Sequence, residues 1–503
     1  MRLKIEHAIN NCILISDSSG QGASHIETIL QNVDFLIDGD TREKVIIFSG
    51  IDMQETGHDW YEGINMRLKK AGFSYFIGIG PGFITYASIF DIDKYLYSSF
   101  EEFLSHFNKK QFTDATIIIT GGNKPVLQQI ASLLQLNAYQ TVFEVGLNAM
   151  AENLDSFRSF LKPTTKIMVM VKAFSYGTGT VEVAKFLQKQ QVAYLGVAIA
   201  DEGVLLRKEG VSASIAVMNP EKQSFPKIID YRLEPCIYTL PLLIEFTRFL
   251  AREGITGFPV HIKLDTGMNR LGFKGRQQLA EAAEMIKKSG NIKVLSVFSH
   301  LAGSDDAVFD AFTLEQFEEF TTLSELFISN FSYKIGRHIL NSSGIERFPE
   351  YQFDMARLGI GLYGVSRTGL NLKSIGTLKT TISQIKAVPG DETVGYSRKG
   401  VIDGPSNIAT IPIGYGDGYS RIFGNRNARV YVNGLYAPVI GNVCMDMCMI
   451  DITGIEAEVG DEVELFGSHV TIFELAEKAA TIPYEILTNI AKRVKRVYIL
   501  DAG

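Results

Sequence analysis

The feature that most constrains the fold is a βα alternation repeated eight times between residues 139 and 375. Short apolar runs are separated by stretches of helix length in which polar and apolar residues recur with a helical period. The predicted strands end at Lys172, Ala200, Asn219, Tyr238, Leu264, Ser299, Asn341 and Arg357. Eight such units predict a (β/α)8 barrel, in which the carboxyl ends of the strands face the active site.

The regions on either side of the predicted barrel have different patterns. Over residues 1–138, short β-rich runs at 12–15, 45–48, 75–78 and 116–119 alternate with helical stretches, which predicts a small parallel, Rossmann-like sheet. Over residues 376–503, short strands separated by Pro, Gly and Asp turns predict a β-rich domain with one amphipathic helix near Ile472. The predicted fold class is therefore α/β, with three domains in the order Rossmann-like, barrel and β-rich.

Composition and charge exclude several classes of protein. A formal net charge of -7 without a basic cluster argues against a nucleic-acid partner. The amino-terminal residues lack the apolar core of a signal peptide, and no apolar run is long enough to cross a bilayer, so we expect a cytoplasmic protein without a membrane partner. The four cysteines do not form a disulfide framework, and Cys444 and Cys448 have no second pair to complete a zinc site. We expect reduced cysteines and no metal.

Lys172 is the residue most indicative of chemistry. It ends the apolar run 167–171 and opens a glycine-rich turn that contains Tyr176. A lysine at the end of a buried strand is desolvated, which favours its neutral amine and makes it available to form a Schiff base. Glycines and a tyrosine one turn further on suit an anion pocket. Surface solvation is the alternative for a single lysine, and this context favours the catalytic interpretation.

Short segments in a fixed order resemble those of the alanine racemases that depend on pyridoxal phosphate, the fold type III enzymes. The segments are 171–173, 176–177, 261–272, 298–300, 357–359, 414–419 and 444–446. The resemblance implies a barrel that binds pyridoxal 5'-phosphate, alanine as the substrate, and a homodimer with shared active sites.

The resemblance also implies a two-base mechanism. Inverting the α-carbon requires a proton to leave one face while another arrives on the opposite face. Lys172 is implied for one face, and Tyr415 from the β-rich domain of a second subunit for the other. A free tyrosine has a pKa of about 10, so a basic Tyr415 requires nearby cations or donors, for which His300 and Arg357 are the candidates. Arg357 is further implied to face the ring nitrogen of the cofactor and to keep it unprotonated, because a guanidinium does not give up its proton.

The resemblance implies specific phosphate contacts as well. They lie in the loops after strands seven and eight, where phosphates commonly bind in such barrels, and in the turn after Lys172. These contacts are Tyr176, Asn341, Ser342 and the backbone amides of Gly359 and Ile360. The additional tyrosine that the family often places before an Arg-Val-x-Arg run is replaced here by Lys492, so a cation would take its place.

Substrate contacts are implied in the barrel and in the β-rich domain. Arg270 and the backbone amide of Met445 would bind the substrate carboxylate, and Asp446 would shape the entrance and the dimer contact. Many alanine racemases carbamylate the lysine that matches Lys263. The resulting anion would pair with Arg270 in place of a repulsion between two cations.

The first domain resembles the C-terminal domain of the Mur ligase that adds D-alanyl-D-alanine to the cell-wall precursor. The resemblance lies in residues 10–18 and in the segment that ends at Gly50. The sequence has no Gly-Lys-Ser/Thr phosphate loop, and two ligase motifs read 17–20 Asp-Ser-Ser-Gly and 120–123 Thr-Gly-Gly-Asn. These departures favour a non-catalytic relic or docking module, and the alternative is a fragment of an active ligase.

Two further functions remain open from the sequence. Serine racemases and racemases of broad specificity share most of these residues. Alanine is therefore the substrate that the resemblance favours, and a serine or broad-specificity racemase is the alternative. The chain could also be a scaffold for cell-wall enzymes, although intact Lys172 and Tyr415 argue against a dead site.

Overall fold

The computed structural model describes residues 2–17, 26, 28–29, 42–49, 57–135 and 141–501. Within these ranges, the first region contains the strands β1 Arg2–His7, β2 Ile13–Asp17, β3 Glu43–Ser49, β4 Tyr75–Ile79, β5 Asp93–Tyr97 and β6 Ala115–Gly121. Its helices are α1 His58–Lys70, α2 Pro81–Thr85, α3 Phe100–His106 and α4 Lys124–Leu134. Ser18, Ser19, Gly20 and Gly50 lie outside the described residues.

The sheet of the first region is parallel, apart from its first strand. The pairs β2 with β6, β6 with β3, β3 with β4, and β4 with β5 are all parallel, whereas β1 pairs antiparallel with β2. All seven residues of β6 are buried, as is typical of a strand covered on both faces. The edge strand β5 was not predicted from the sequence, because its Asp93-Lys94-Tyr95 start is polar and partly exposed.

A closed ring of eight parallel strands follows. It is preceded by β7 Val142–Gly146 and α5 Leu147–Ser159. The ring strands are β8 Lys166–Met170, β9 Tyr194–Val197, β10 Ser214–Val217, β11 Glu234–Ile237, β12 Phe258–Lys263, β13 Ile292–Phe298, β14 Gly336–His338 and β15 Met355–Leu358. The helices are α6 Thr180–Lys189, α7 Ala200–Lys208, α8 Phe225–Asp230, α9 Leu240–Arg252, α10 Gly275–Ser289, α11 Asp310–Ile328 and α12 Ser342–Arg347.

Strand β15 pairs with β8, and the Arg357 amide donates to Leu340 O at 2.9 Å beside β14, so the ring closes. The predicted (β/α)8 barrel is therefore confirmed, with strand ends that differ from the predicted ones by a few residues. No helix within the described ranges is both long enough and apolar enough to span a membrane.

The C-terminal region is β-rich, as predicted. Its strands are β16 Gly376–Thr381, β17 Gln384–Val388, β18 Thr393–Val394, β19 Gly400–Val401, β20 Ser406–Ile411, β21 Arg429–Val432, β22 Leu435–Ile440, β23 Cys448–Asp451, β24 Glu462–Phe466 and β25 Lys495–Asp501. It also contains two helices, α13 Ile472–Lys478 and α14 Pro483–Thr488. The sequence predicted the first of these helices and missed the second.

One sheet joins the first region to the last, which the sequence did not predict. Strand β25 pairs parallel with β7 and antiparallel with β1, and β7 pairs antiparallel with β16. Apart from β18 and β19, which pair only with each other, the described strands of both regions form, together with β7, a single sheet of fifteen strands. The first region is therefore held to the rest of the molecule by backbone hydrogen bonds and not only by a linker.

A side-chain cluster reinforces this junction next to the barrel. His7 on β1 lies 2.7 Å from Glu182 of α6, measured from Nε2 to Oε1. The Tyr498 hydroxyl on β25 donates to Thr178 O at 3.0 Å and lies 3.1 Å from the other Glu182 oxygen. The first strand of the chain is therefore linked, through Glu182 and Tyr498, to the loop that precedes α6.

We expect the His7 contact to make stability depend on pH. The hydrogen bond that His7 donates to the Glu182 carboxylate raises the pKa of His7 above its ordinary 6.5. Because the pKa of His7 is raised in the folded state, the contact with Glu182 contributes fully to the free energy of unfolding below about pH 6.5. This contribution is lost as the pH rises through the folded-state pKa of His7. His7 is more than half exposed, so the screened contribution is about 0.5 kcal/mol. The measurement is urea unfolding of wild type and His7→Gln at pH 6 and pH 9. The free energy of unfolding of the two proteins should differ at pH 6 and be the same at pH 9. An equal difference at both pH values would contradict the assignment.

Candidate active site

Lys172 follows β8 at the carboxyl end of the barrel, where the chain makes a left-handed turn. Residues 173–176 all have φ between 50° and 57°, a conformation that costs an L-residue roughly 1–2 kcal/mol each. The Ala173 amide donates to Glu202 Oε1 at 2.8 Å and helps to hold the turn. Strain of this kind is concentrated at functional sites. Here it brings Tyr176 within one turn of Lys172.

The Lys172 amine is held in a partly buried and electropositive place. Burial lowers the pKa of Lys172, and the neighbouring Arg270 and Arg357 guanidinium groups lower it further, against an opposing effect of Glu202. A lysine with a lowered pKa carries more neutral amine at a given pH, and the neutral amine is the nucleophile and the base.

Two hydroxyl groups and a glycine form an open cradle beside this turn. Ser342 Oγ accepts from the amides of Gly359 and Gly361 at 3.0 and 3.2 Å, which leaves its hydroxyl hydrogen available to donate. A Cβ on Gly359 would lie 3.1 Å from Tyr176 Oη and 3.7 Å from Ser342 Oγ. Glycine therefore keeps the space between the two hydroxyls open, and the cradle fits a phosphate group.

Asn341 supports this cradle instead of pointing into it. Its Oδ1 accepts from the Gly344 amide and from Ser304 Oγ, both at 2.8 Å, and so fixes the start of α12 at Ser342. Ile360, the second predicted amide donor, is buried at the start of the 3-10 turn 360–363.

Aromatic rings pack around Tyr176. Its ring stacks on Tyr363 with centroids 4.6 Å apart, and Tyr484 of α14 lies 6.1 Å away on another side. Lys492, the predicted replacement for a tyrosine, instead lies over the ring of Phe174 at 5.6 Å. The tyrosine that the structure places beside Tyr176 is Tyr484, eight residues before Lys492 in the sequence.

Arg357 is the most buried cation of the site, with 4% of its surface exposed. Nη2 donates to Ser299 O at 2.6 Å and to Ile339 O at 3.1 Å, and lies 3.2 Å from His300 Nδ1. Nη1 lies 2.8 Å from His338 Nδ1. The predicted contact between Arg357 and His300 is present in the structure, and His338 is an additional partner.

Both histidines beside Arg357 are held neutral. The pKa values of His300 and His338 both lie well below the ordinary 6.5. Burial is the larger cause, and the positive charge of Arg357 is the second. A neutral imidazole can accept a hydrogen bond from the guanidinium through Nδ1, whereas a protonated one cannot.

Lys263 is a buried cation without a counterion. It is 8% exposed, and the described residues offer it neither a hydrogen bond nor an ion pair. Burial, then Arg270 and Arg357, lower its pKa to about 8. Its ammonium lies 5.9 Å from the centroid of the Phe298 ring. Arg270 itself is exposed, at the mouth of the barrel.

Tyr415 and Met445 lie together on the C-terminal region and are exposed by 42% and 55%. The Tyr415 amide donates to Cys444 O at 3.0 Å and the Gly416 amide to Met445 O at 2.8 Å, so the two turns are held side by side. In the described residues, no hydrogen bond or ring contact joins Tyr415 or Met445 to Lys172 or Arg357. The single chain therefore assembles the barrel half of the predicted site and leaves the other half facing outward.

Arg493 holds together the two turns that contain Tyr415 and Met445. Its Nε donates to Asp417 Oδ1 at 2.8 Å, and Nη2 donates to Asp446 Oδ1 at 2.6 Å. Asp417 also accepts from the Gly414 amide at 2.9 Å. Asp446, which the resemblance places at the substrate entrance, is exposed and acts as one anchor of this clamp.

Sequence reasoning missed His338, Tyr484 and Arg493. His338 lies three residues before the predicted strand end at Asn341, and alternation along that strand could have directed it into the barrel. Tyr484 and Arg493 carry no local signal, because their roles depend on contacts with distant parts of the chain.

Comparison with known proteins agrees with this geometry. The family model "Alanine racemase, N-terminal domain" matches residues 145–367, and "Alanine racemase, C-terminal domain" matches residues 375–498. Alanine racemase 1 of Clostridium acetobutylicum is 39% identical over 369 residues, which cover 71% of this chain and 94% of that protein.

Solved structures give the same result. An alanine racemase from Clostridium difficile 630 aligns with a TM-score of 0.68 and 33% identity, over 72% of this chain and 96% of that one. The alanine racemase from Bartonella henselae with covalently bound pyridoxal phosphate aligns with a TM-score of 0.64 and 27% identity, over 71% of this chain and 99% of that one. Because the two family models together match residues 145–367 and 375–498 and the relatives are covered almost completely, this chain belongs to the alanine racemase family.

Proposed function

We propose that this chain uses pyridoxal 5'-phosphate to interconvert L-alanine and D-alanine. The observation that carries the proposal is a half-buried lysine of lowered pKa, at the same barrel end as a hydroxyl cradle and a fully enclosed arginine. When bound there, pyridoxal phosphate supplies an electron sink for the carbanion left at the substrate α-carbon.

The barrel residues hold and orient the cofactor. Tyr176 and Ser342 would donate to its phosphate, together with the amides of Gly359 and Ile360, while Asn341 keeps Ser342 in place. Burial lowers the pKa of Arg357 to about 10, so the guanidinium still keeps its proton at neutral pH. As a donor to the ring nitrogen it would leave that nitrogen unprotonated and make the electron sink moderate.

Two groups move the proton. Lys172 Nζ takes or gives it on one face of the substrate, and Tyr415 Oη does so on the other. His300, held neutral beside Arg357, lies at the edge of the pocket, where it can hydrogen-bond the phenol of Tyr415. The proposal therefore includes a homodimer, because Tyr415 is 42% exposed and has no described contact with Lys172 or Arg357 of its own chain.

The same dimer completes the carboxylate site. Arg270 at the mouth of one barrel and the Met445 amide of the other subunit bind the substrate carboxylate. Asp446, fixed by Arg493, borders the entrance. Two exposed halves on one chain, each incomplete alone, support a symmetric assembly.

We expect Lys263 to be carbamylated. Its neutral amine attacks the carbon of CO2 and releases one proton, and the resulting anion removes the repulsion with Arg270. Since the pKa of Lys263 is about 8, the neutral amine and the carbamate increase as the pH rises through that value. Protein equilibrated with 13CO2 should give a carbamate signal in 13C NMR that is stronger at pH 9 than at pH 7. The signal should be lost in Lys263→Ala and kept in the control Lys274→Ala. An unchanged spectrum in Lys263→Ala would contradict the assignment.

The first domain is proposed to be a docking module with the fold of a Mur-ligase C-terminal domain. Its parallel strands are compatible with that fold. D-alanine is a building block of peptidoglycan, so a module that binds a cytoplasmic cell-wall enzyme would place the racemase beside a consumer of its product.

The test is α-proton exchange in deuterated water. Holoenzyme incubated with L-alanine should produce D-alanine that carries deuterium at the α-carbon, measured by chiral chromatography with mass detection. Protein that binds the cofactor but neither inverts alanine nor exchanges its α-proton would overturn the proposal. If serine is racemised as fast as alanine, the proposed function becomes that of a racemase of broad specificity.

A further inference from the structure

A row of buried polar side chains crosses the barrel interior behind Arg357. It contains His338, Ser296, His261 and Glu234, which lie on the consecutive strands β14, β13, β12 and β11. We propose that Glu234, His261 and Ser296 are positioning residues, which hold His338 and, through it, the Arg357 guanidinium in one hydrogen-bonded orientation. The proposal rests on the function proposed above for Arg357.

Each link of the row has hydrogen-bond geometry. Arg357 Nη1 lies 2.8 Å from His338 Nδ1, and His338 Nε2 lies 2.9 Å from Ser296 Oγ. Ser296 Oγ lies 2.7 Å from His261 Nδ1, and His261 Nε2 lies 2.9 Å from Glu234 Oε2. The three residues between Arg357 and Glu234, which are His338, Ser296 and His261, are all less than 5% exposed. Water therefore does not compete with these contacts.

The two ends of the row determine where its protons lie. A guanidinium only donates, so His338 must accept through Nδ1 and carry its proton on Nε2, which donates to Ser296 Oγ. The Ser296 hydroxyl then donates to His261 Nδ1. His261 therefore carries its proton on Nε2 and donates to the Glu234 carboxylate, which only accepts.

The opposite arrangement at His261 would leave a donor unsatisfied. With a proton on His261 Nδ1, Ser296 Oγ would receive donors from both sides and its own hydrogen would have no acceptor among the described residues. A buried hydroxyl whose hydrogen has no acceptor destabilises the arrangement that contains it. One proton arrangement is thus strongly preferred along the whole row, and aligned hydrogen bonds strengthen one another.

The row fixes the part of Arg357 that the cofactor would meet. Within the described chain, the hydrogen bonds of Arg357 use Nη1 and Nη2 and none uses Nε. With both terminal nitrogens held, the guanidinium keeps one orientation, and Nε would be the donor that remains for the ring nitrogen. The Glu234 carboxylate also places a negative charge at the far end of a row that begins at a buried cation.

The first experiment reads the proton positions without the cofactor. Protein labelled with 15N-histidine and freed of pyridoxal phosphate is examined by two-dimensional NMR, with His261→Gln and His338→Gln used for assignment. We expect both histidines to be neutral with the proton on Nε2. A proton on His338 Nδ1, or on both nitrogens of His261, would overturn the proposal whatever the enzyme activity.

The second experiment interrupts the row. Ser296→Ala breaks its centre, while Glu234→Gln keeps an acceptor and loses the charge. Tyr194→Phe is the matched control, because its phenol also hydrogen-bonds Glu234 and its ring lies against His261 at 5.6 Å, but it stands outside the row. We expect kcat for alanine to fall about tenfold in Ser296→Ala with KM unchanged, and less in Glu234→Gln.

The outcomes separate positioning from folding. Ser296→Ala should also shift the absorption maximum of bound pyridoxal phosphate, whereas Tyr194→Phe should leave both kcat and the spectrum unchanged. If Ser296→Ala and Tyr194→Phe differ only in melting temperature, the row is structural and the proposal fails. If wild type does not racemise alanine at all but shows the predicted tautomers, the proposed function fails and the hydrogen-bonded row stands.

Discussion

Replacing Lys172 with alanine is expected to reduce racemisation by at least about 1,000-fold and to abolish covalent retention of pyridoxal phosphate. The amine of Lys172 is the nucleophile that would attach the cofactor, and the same nitrogen would move the substrate proton on one face. Its lowered pKa, caused first by burial and then by Arg270, keeps a larger neutral fraction available for both roles.

The measurement combines borohydride reduction, mass spectrometry and the exchange assay in deuterated water. Lys166→Ala is a matched control, since Lys166 begins the strand that precedes Lys172 and is exposed. We expect Lys166→Ala to keep full activity and to retain the cofactor after reduction. Cofactor trapped on Lys172→Ala, with racemisation near the wild-type rate, would show that another lysine performs this chemistry.

Tyr415→Phe is expected to lower racemisation about 100-fold to 1,000-fold while leaving cofactor attachment intact. Without the phenol, only the face served by Lys172 keeps a base. One enantiomer of alanine should therefore still exchange its α-proton with solvent, and the other should not. This asymmetry distinguishes the loss of one base from a general disturbance of the site.

A nearby phenol provides the control. Tyr419 is 2% exposed, and within the described residues its hydroxyl has no hydrogen-bond partner, so Tyr419→Phe removes an oxygen at little cost. We expect Tyr419→Phe to racemise alanine at the wild-type rate. Equal behaviour of Tyr415→Phe and Tyr419→Phe would exclude Tyr415 as the second base.

Mixed dimers test whether the two bases come from different subunits. A dimer of one Lys172→Ala chain and one Tyr415→Phe chain has one site with both residues intact, if each site combines Lys172 of one subunit with Tyr415 of the other. Random exchange of the two inactive variants should then restore about a quarter of the wild-type activity. No recovery would place both bases on one chain.

The sequence predicts the barrel half of the site well because strand ends are local features. Lys172, Ser342 and Arg357 each follow or end an apolar run, and the barrel fold then places all such ends on one face. Burial and neighbouring charges follow from that placement. The left-handed turn at 173–176 is only partly foreseen, since a glycine-rich turn was expected but four residues other than glycine adopt positive φ.

The remaining features depend on distant contacts and could not be predicted. His338 requires knowledge of which strands neighbour each other, and Tyr484 requires the docking of α14 against the loop after β8. The pairing of β1 with β25 joins the two ends of the chain, and no pattern within either strand specifies it. The half of the proposed site that contains Tyr415 would depend on contact with a second copy of the chain, which no pattern within one sequence describes.

The pairing of β1 with β25 also determines the order in which this protein can mature during synthesis. Strand β1 is translated long before β25, its partner in the sheet. Until then the edge of β1 is open, and an open strand edge can pair with other chains. Contacts between such distant segments form slowly, because a very long loop must close first. Strand β25 is therefore expected to complete the sheet and to cover the open edge of β1 in a single late step.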